Sequence, residues 1–167
     1  MIEVIENTVS VDQLNNIWKE IDLLEPNIVG DADDGSSATG QKKGSGYLIN
    51  NQFAPFVCPL ILDVGKKFFP NGSFSVLVNK YENGDYYKAH KDDTIKTATV
   101  SLLKNENGIS GGDFYFPDQD KKIDLKNNMA IIFDGAETHE VLPVKAEDNA
   151  ARYSLTYFLY EEDNDYV

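Results

Sequence analysis

FSVLVNKYENGDYYKAHKD, residues 74–92, sets the character of the chain. It opens on a β-branched and aromatic run, Phe74–Tyr81, breaks at Asn83-Gly84 and resumes as Tyr86–His90. Runs of this composition suit a pleated, half-buried surface, and Asn-Gly tolerates the backbone angles of a tight turn. The texture continues downstream over residues 97–103, 113–116, 122–125, 130–133, 140–144 and 152–160. Asn107-Gly108, Asn127-Asn128 and Asp134-Gly135 break these runs as turns. Roughly eight strands are predicted.

Upstream the pattern is helical. Ser10 precedes Leu14, Ile17, Trp18, Ile21 and Leu24 at helical spacing, so Ser10 is the expected cap and Pro26 the expected stop. A second helix is predicted from Pro59 to Phe69. Residues 30–46, GDADDGSSATGQKKGSG, are polar and glycine-rich, and read as a mobile loop inside the domain. The final EEDNDYV reads as a frayed acidic tail, and no internal repeat is present. The expectation is a mainly β chain with N-terminal helices against one sheet, a double-stranded β-helix or jelly-roll. One domain is expected over residues 1–167, helical over about 1–70 with its β core over about 72–161.

Composition narrows the class. The single cysteine, Cys58, permits no internal disulfide and no thiolate cluster, and suits a reducing cytoplasm. The start, MIEVIENTVS, lacks the basic and apolar regions of a signal peptide. The longest apolar stretch, 53–64, is interrupted by Pro55, Pro59 and Asp63 and is too short to span a bilayer. A soluble, cytoplasmic protein is expected. The net charge of -13 disfavours a nucleic-acid partner, and reads as solubility or as attraction to a basic protein or peptide.

The chemistry concentrates in few residues. On a strand, residues two apart share a face, so His90 and Asp92 can converge on one ion. The only other histidine is His139, just past the predicted strand 130–133. Two imidazoles and a carboxylate on one side of a metal leave the remaining positions open, the arrangement of non-haem Fe(II) oxygenases. Of 15 Lys and Arg residues only Arg152 is an arginine. Its planar fork grips a carboxylate through two parallel hydrogen bonds, which a dicarboxylic co-substrate chelating a metal at one end needs at the other. Ser154 shares the strand face of Arg152 and could add a hydroxyl contact.

These residues resemble the 2-oxoglutarate/Fe(II) dioxygenase superfamily, and within it the prolyl 4-hydroxylase-like branch. Tyr81 and Gly84 with Tyr87, His90 and Asp92 resemble the strand that carries the first two iron ligands. Gly111-Gly112-Asp113 with Phe116-Pro117 resembles the family's Gly-Gly-acidic turn. Phe133-Asp134-Gly135 leading to His139-Glu140-Val141 and Pro143-Val144 resembles the third-ligand segment, and Arg152-Tyr153-Ser154-Leu155-Thr156 the strand whose arginine binds the distal carboxylate of 2-oxoglutarate.

The resemblance implies Fe(II), 2-oxoglutarate and O2, with room for ascorbate as reductant. It further implies a metal held by His90, Asp92 and His139, and a co-substrate held by Arg152 and Tyr81. The expected reaction hydroxylates a substrate C–H bond, peptidyl proline foremost, and releases succinate and CO2. A free amino acid or other small molecule is the alternative substrate, and a cupin-like metal-binding protein the alternative class. Asp92 argues against a halogenase, where halide replaces that carboxylate. One departure concerns Thr99-Val100-Ser101-Leu102-Leu103, which lacks a tyrosine that some prolyl hydroxylases carry there.

Overall fold

The computed structural model describes residues 1–25, 29–30, 42–49 and 58–160. Strands β1 (Glu3–Glu6), β2 (Val29–Gly30), β3 (Lys42–Lys43) and β4 (Ser45–Ile49) precede β5 (Phe74–Tyr81), β6 (Tyr86–His90) and β7 (Lys96–Lys104). Then come β8 (Ile109–Gly111), β9 (Phe114–Phe116), β10 (Lys121–Ile123), β11 (Met129–Asp134), β12 (His139–Val141), β13 (Val144–Ala146) and β14 (Ala151–Leu159). The α-helices among the described residues are α1 (Val11–Leu24) and α2 (Pro59–Phe68).

Two antiparallel sheets face each other as a jelly-roll, the fold expected from the sequence. The larger has the order β1-β11-β7-β14-β5-β4-β2, and the smaller β10-β9-β12-β6-β3. A short pair, β13-β8, stands apart. Alternation decides the larger sheet. Val76, Val78, Val100, Leu102, Tyr153, Leu155 and Tyr157 pack on one face with Ile17, Ile21, Leu24, Ile61 and Val64 of the helices. Burying each such aliphatic chain contributes about 1.5–3 kcal/mol. The intervening residues, among them Tyr81, Met129, Ile131 and Phe133, face the smaller sheet and meet Phe114, Phe116 and Val141.

Helix α1 begins at a reciprocal cap in which Ser10 Oγ accepts from the Gln13 N–H and Gln13 Oε1 accepts from the Ser10 N–H. Helix α2 has no such start, because its N-cap residue is Cys58, which makes no side-chain cap. Glu20, buried on α1, supplies the function from outside. Its carboxylate accepts from the N–H groups of Leu60 and Ile61, both at 2.9 Å. A negative group at a helix N-terminus satisfies orphan donors and complements the dipole.

The helical description of residues 1–70 is corrected. Among the described residues four strands lie there besides the two helices: β1 completes one edge of the larger sheet against β11, and β4 lies beside β5. Partners distant in sequence impose these pairings, and local periodicity does not carry them. The two ends of the loop expected over 30–46 are also corrected, since Gly30 lies in β2 and Lys42–Lys43 and Ser45 onward lie in β3 and β4. Pairing with Tyr87-Tyr86 and with β5 holds the latter segments extended. Residues 31–41, Pro26 and the tail 161–167 lie outside the described residues. The strand expected over 140–144 divides into β12 and β13, which join different sheets. No helix among the described residues is long and apolar enough to cross a membrane.

Candidate metal centre and co-substrate pocket

His90 ends β6 and His139 opens β12, and the two are direct partners in the antiparallel ladder between these strands. Asp92 joins them differently from the same-strand argument. Strand β6 stops at His90, and Asp92 lies in the turn beyond it, so shared strand parity does not aim it. Instead its N–H donates to Gly135 O at 2.9 Å, in the turn that follows β11, and its Oδ2 accepts from Thr97 Oγ1 at 2.6 Å. Gly135 permits this approach, since a Cβ there would stand 2.2 Å from the Thr94 carbonyl oxygen.

One ligand atom from each of His90, Asp92 and His139 falls within 4.8 Å of the others. His90 Nε2 lies 3.8 Å from Asp92 Oδ1, and His139 Nε2 lies 3.6 Å from Oδ2. Both rings are set the same way. His90 Nδ1 is 2.7 Å from Lys88 O and His139 Nδ1 is 2.9 Å from Glu137 O. A carbonyl only accepts, so each Nδ1 carries the proton and each Nε2 turns its lone pair toward the centre. Burial, with the neighbouring His139, pushes His90 down to about 4, and burial lowers His139 as well. Both imidazoles are therefore neutral near pH 7, the form that binds a cation. Tyr87 stacks on His90 with ring centroids 3.7 Å apart, and Phe133 lies 4.5 Å from His139, which limits rotation of both rings.

The three donors border a cavity of about 700 Å³ whose walls include Leu77, Asn79, Tyr81, Phe114, Thr156 and Ser154. Arg152 on β14 is stacked against two of these walls. Its guanidinium lies 5.0 Å from the Tyr81 ring centroid and 5.9 Å from that of Phe114. The side chain is wholly buried, and none of its Nε and Nη atoms has a hydrogen-bond partner among the described residues. Burial lowers its pKa, while Tyr81 and then Asp113 act in the opposite direction. A buried cation with empty donors is costly. Arg152 does not itself line the cavity, and a carboxylate would have to reach it past the Tyr81 and Phe114 rings to satisfy it. Ser101 Oγ, on the inward face of β7 opposite Ser154, is likewise buried without a partner.

The paired glycines serve this corner. Gly111 and Gly112 have φ of +69° and +72°. Cβ atoms there would meet Pro143 O at 2.6 Å and, for Gly112, Val144 Cγ2 at 2.9 Å and the Arg152 stem at 3.2 Å. Only glycine takes this backbone and this approach without strain. The following Asp113 accepts from the Leu125 N–H at 2.8 Å and pairs with Lys122 at 3.1 Å.

The sequence reading missed Thr97, Ser101 and Gly135. An ordinary strand threonine and serine give no local signal, and the Asp134-Gly135 turn signal does not announce what packs on it. Ser154 is brought to the cavity wall as expected, but its hydroxyl is 3.3 Å from Asn79 Nδ2, which donates to it. Asn79 in turn accepts from the buried Lys42 Nζ at 2.6 Å.

The donor set fits a divalent iron, and the orphaned guanidinium fits the far carboxylate of a chelating dicarboxylate. The sequence profile of the 2OG-Fe(II) oxygenase superfamily matches residues 76–160, from within β5 to the end of β14. The chain belongs to that superfamily. It is a dioxygenase using Fe(II), 2-oxoglutarate and O2.

No curated protein sequence matches the chain. Among solved structures, it is similar to a viral collagen prolyl hydroxylase from Paramecium bursaria Chlorella virus-1 in its 2OG complex. Identity there is 20%, coverage 96% of each chain and TM-score 0.65. A Pseudomonas putida prolyl-4-hydroxylase is 18% identical, with 96% of this chain and 92% of that one covered and a TM-score of 0.69. A Trichoplax adhaerens prolyl hydroxylase in complex with a hypoxia inducible factor peptide fragment is 15% identical. It is matched over 95% of this chain and 83% of that one, with a TM-score of 0.72.

Proposed function

We propose that this dioxygenase hydroxylates a prolyl residue in a peptide, working as one domain with His90, Asp92 and His139 as its metal ligands and Arg152, Tyr81 and Ser154 at the co-substrate. The observation that carries the site is the pairing of a three-donor centre with a buried guanidinium that is stacked on Tyr81 and Phe114 and whose nitrogens have no hydrogen-bond partner among the described residues. When bound, Fe(II) with 2-oxoglutarate and O2 supplies an oxidant for a C–H bond, the co-substrate leaving as succinate and CO2.

The protein's own part is positioning and exclusion. The Lys88 and Glu137 carbonyls hold the Nε2 lone pairs of the histidines on the centre. Arg152 fixes the distal carboxylate by a two-pronged grip, with the Tyr81 ring against its guanidinium. Phe114, Phe133 and Val141 line the cavity beside the donors and keep water from the reacting carbon. Leu48, Leu77 and Phe158 give the cavity an apolar wall that suits a proline ring, and Leu48 and Tyr160 stay partly exposed at its rim, where a peptide can continue past it. The peptide reading is supported by the similarity of nearly the whole chain to prolyl hydroxylases, one of them described in complex with a peptide.

The test is conversion of 2-oxoglutarate to succinate in the presence of proline-containing peptides and free amino acids, with mass spectrometry for the gain of one oxygen. Succinate coupled to a peptide carrying hydroxyproline is the expected result. Oxygen gained only by a free amino acid would replace the peptide with a small molecule.

A further inference from the structure

A second buried cation stands behind the cavity wall. Lys42 of β3 is 2% exposed, and its Nζ lies 2.6 Å from Asn79 Oδ1 on β5 and 5.6 Å from the Tyr87 ring centroid. The two side chains come from different sheets, and Gly46 leaves the space in which they meet. A Cβ there would stand 3.0 Å from Asn79 Oδ1 and 3.1 Å from Lys42 Nζ. An ammonium only donates, so the amide oxygen of Asn79 faces Lys42 and its nitrogen is fixed as a donor. Asn79 Nδ2 donates to Ser154 Oγ at 3.3 Å, which leaves it one spare hydrogen and turns the Ser154 proton elsewhere. Neither hydrogen has an acceptor among the described residues. Ladder pairing adds Ser101 to the same row, since Asn79 and Ser101 flank Ser154 on either side. Ser101 Oγ is itself buried with no partner among the described residues. Asn79 and Ser154 line the cavity, whereas Lys42 and Arg152 stand behind its walls. A row of donors that lacks acceptors matches a group made only of acceptors.

We infer that Asn79 and Ser154 form a carboxylate-binding face in the cavity wall, and that Lys42 is the positioning residue that keeps it a donor face. Lys42 holds the amide oxygen, so Asn79 cannot turn that oxygen toward the cavity. The face lies one row from Tyr81 and Arg152, on the side open to the cavity. A carboxylate reaches it from one of two molecules, 2-oxoglutarate or the substrate. The inference deepens the proposed function and rests on its placing of both molecules in this cavity.

The experiment uses anaerobic Mn(II)-loaded protein and calorimetry. One arm titrates 2-oxoglutarate. The other, over saturating 2-oxoglutarate, titrates N-acetylproline and its amide. Asn79→Asp keeps the shape of the parent and still pairs with Lys42, but presents an oxygen where the parent presents N–H. It is expected to weaken the carboxylate ligand by about tenfold or more, the loss of a charge-assisted hydrogen bond, with Mn(II) affinity unchanged. Lys42→Met is expected to weaken the same ligand severalfold, and to add nothing once Asn79→Leu has removed the amide. Loss in the first arm assigns the face to the co-substrate. Loss in the second arm alone, for the acid and not for the amide, assigns it to the substrate. Asn79→Asp without weakening in either arm overturns the inference, as does a Lys42→Met that costs as much beside Asn79→Leu as it does alone. Should Lys42→Met melt below the assay temperature, Lys42→Leu carries the same comparison. Arg152→Lys run alongside separates the two levels: parent-like 2-oxoglutarate affinity there removes the clamp of the proposed function and leaves the Asn79 comparison standing.

Discussion

Arg152, buried behind the Tyr81 and Phe114 rings, and the two histidines at the cavity each yield a measurable expectation. The guanidinium is buried with no hydrogen-bond partner among the described residues, so its charge is to be matched by a ligand. Lysine in its place keeps a charge but loses the fork. Arg152→Lys should cost about 2–4 kcal/mol, hence roughly 30- to 1000-fold in 2-oxoglutarate affinity, with Fe(II) binding nearly unchanged. Anaerobic titration of metal and then co-substrate checks this, and equal 2-oxoglutarate affinities would exclude Arg152 as the clamp.

The histidines bear on pH. Folding lowers the pKa of both below the ordinary imidazole value, so the unfolded chain binds their protons more readily. Metal-free protein should therefore keep its full stability above about pH 6.5 and lose this contribution as pH falls toward about 4. Urea unfolding of parent and His90→Gln between those limits is the measurement. The parent should lose ground to the variant as the medium is acidified, and a constant difference would contradict the assignment.

Among the elements, α2 and the β8–β9 connection depend most on neighbours from elsewhere in the chain. Helix α2 starts at Cys58, which caps nothing, and the Glu20 carboxylate of α1 does the capping. Each hydrogen bond to a charged group contributes about 1.5–3 kcal/mol and Glu20 accepts two, so Glu20→Ala should lower stability by about 3 kcal/mol or more in a denaturant melt. Co-substrate affinity should be nearly unaltered, because the helices pack on the outer face of the larger sheet. The Gly111-Gly112 turn has the reverse profile. A methyl group at Gly112 meets the Arg152 stem at 3.2 Å on a backbone of φ +72°. Gly112→Ala should weaken 2-oxoglutarate binding at least severalfold and spare the metal, as calorimetric titration of each would reveal.

At the scale of the molecule, the cavity joins the two sheets. His90 and His139 belong to the smaller, Arg152 to the larger, and Asp92 is hydrogen-bonded to Thr97 of the larger. A metal at the three donors and a co-substrate at Arg152 would bridge layers that otherwise meet through the inner cluster of aromatic and aliphatic side chains. Ligands that bind only the folded state stabilise by mass action, about 2.7 kcal/mol at a hundred times the dissociation constant. Mn(II) as a redox-silent metal should raise the melting temperature, and 2-oxoglutarate should add to it chiefly when metal is present. An equal shift from 2-oxoglutarate with and without metal would mean that the co-substrate does not chelate the centre.

The amino-acid sequence by itself determined the strand-rich character of the chain, both helices and the identity of the chemical groups. These rest on local physics: β-branched runs, Ser10 before a helical period, and a chain with so few histidines and arginines that each one stands out. Strands β5 and β6 could be read to the residue because turn chemistry at Asn83-Gly84 bounds both. Short-range pattern could not reveal β1 at the sheet edge, the division of 140–144 between two sheets, or the Glu20 cap, since each depends on a partner far along the chain. The site divides in the same way. Residue type made the three ligand candidates and Arg152 legible. Cross-strand pairing of His90 with His139, the aiming of Asp92 by Gly135 and Thr97, and the isolation of a guanidinium behind two aromatic rings exist only once the sheets have closed on each other.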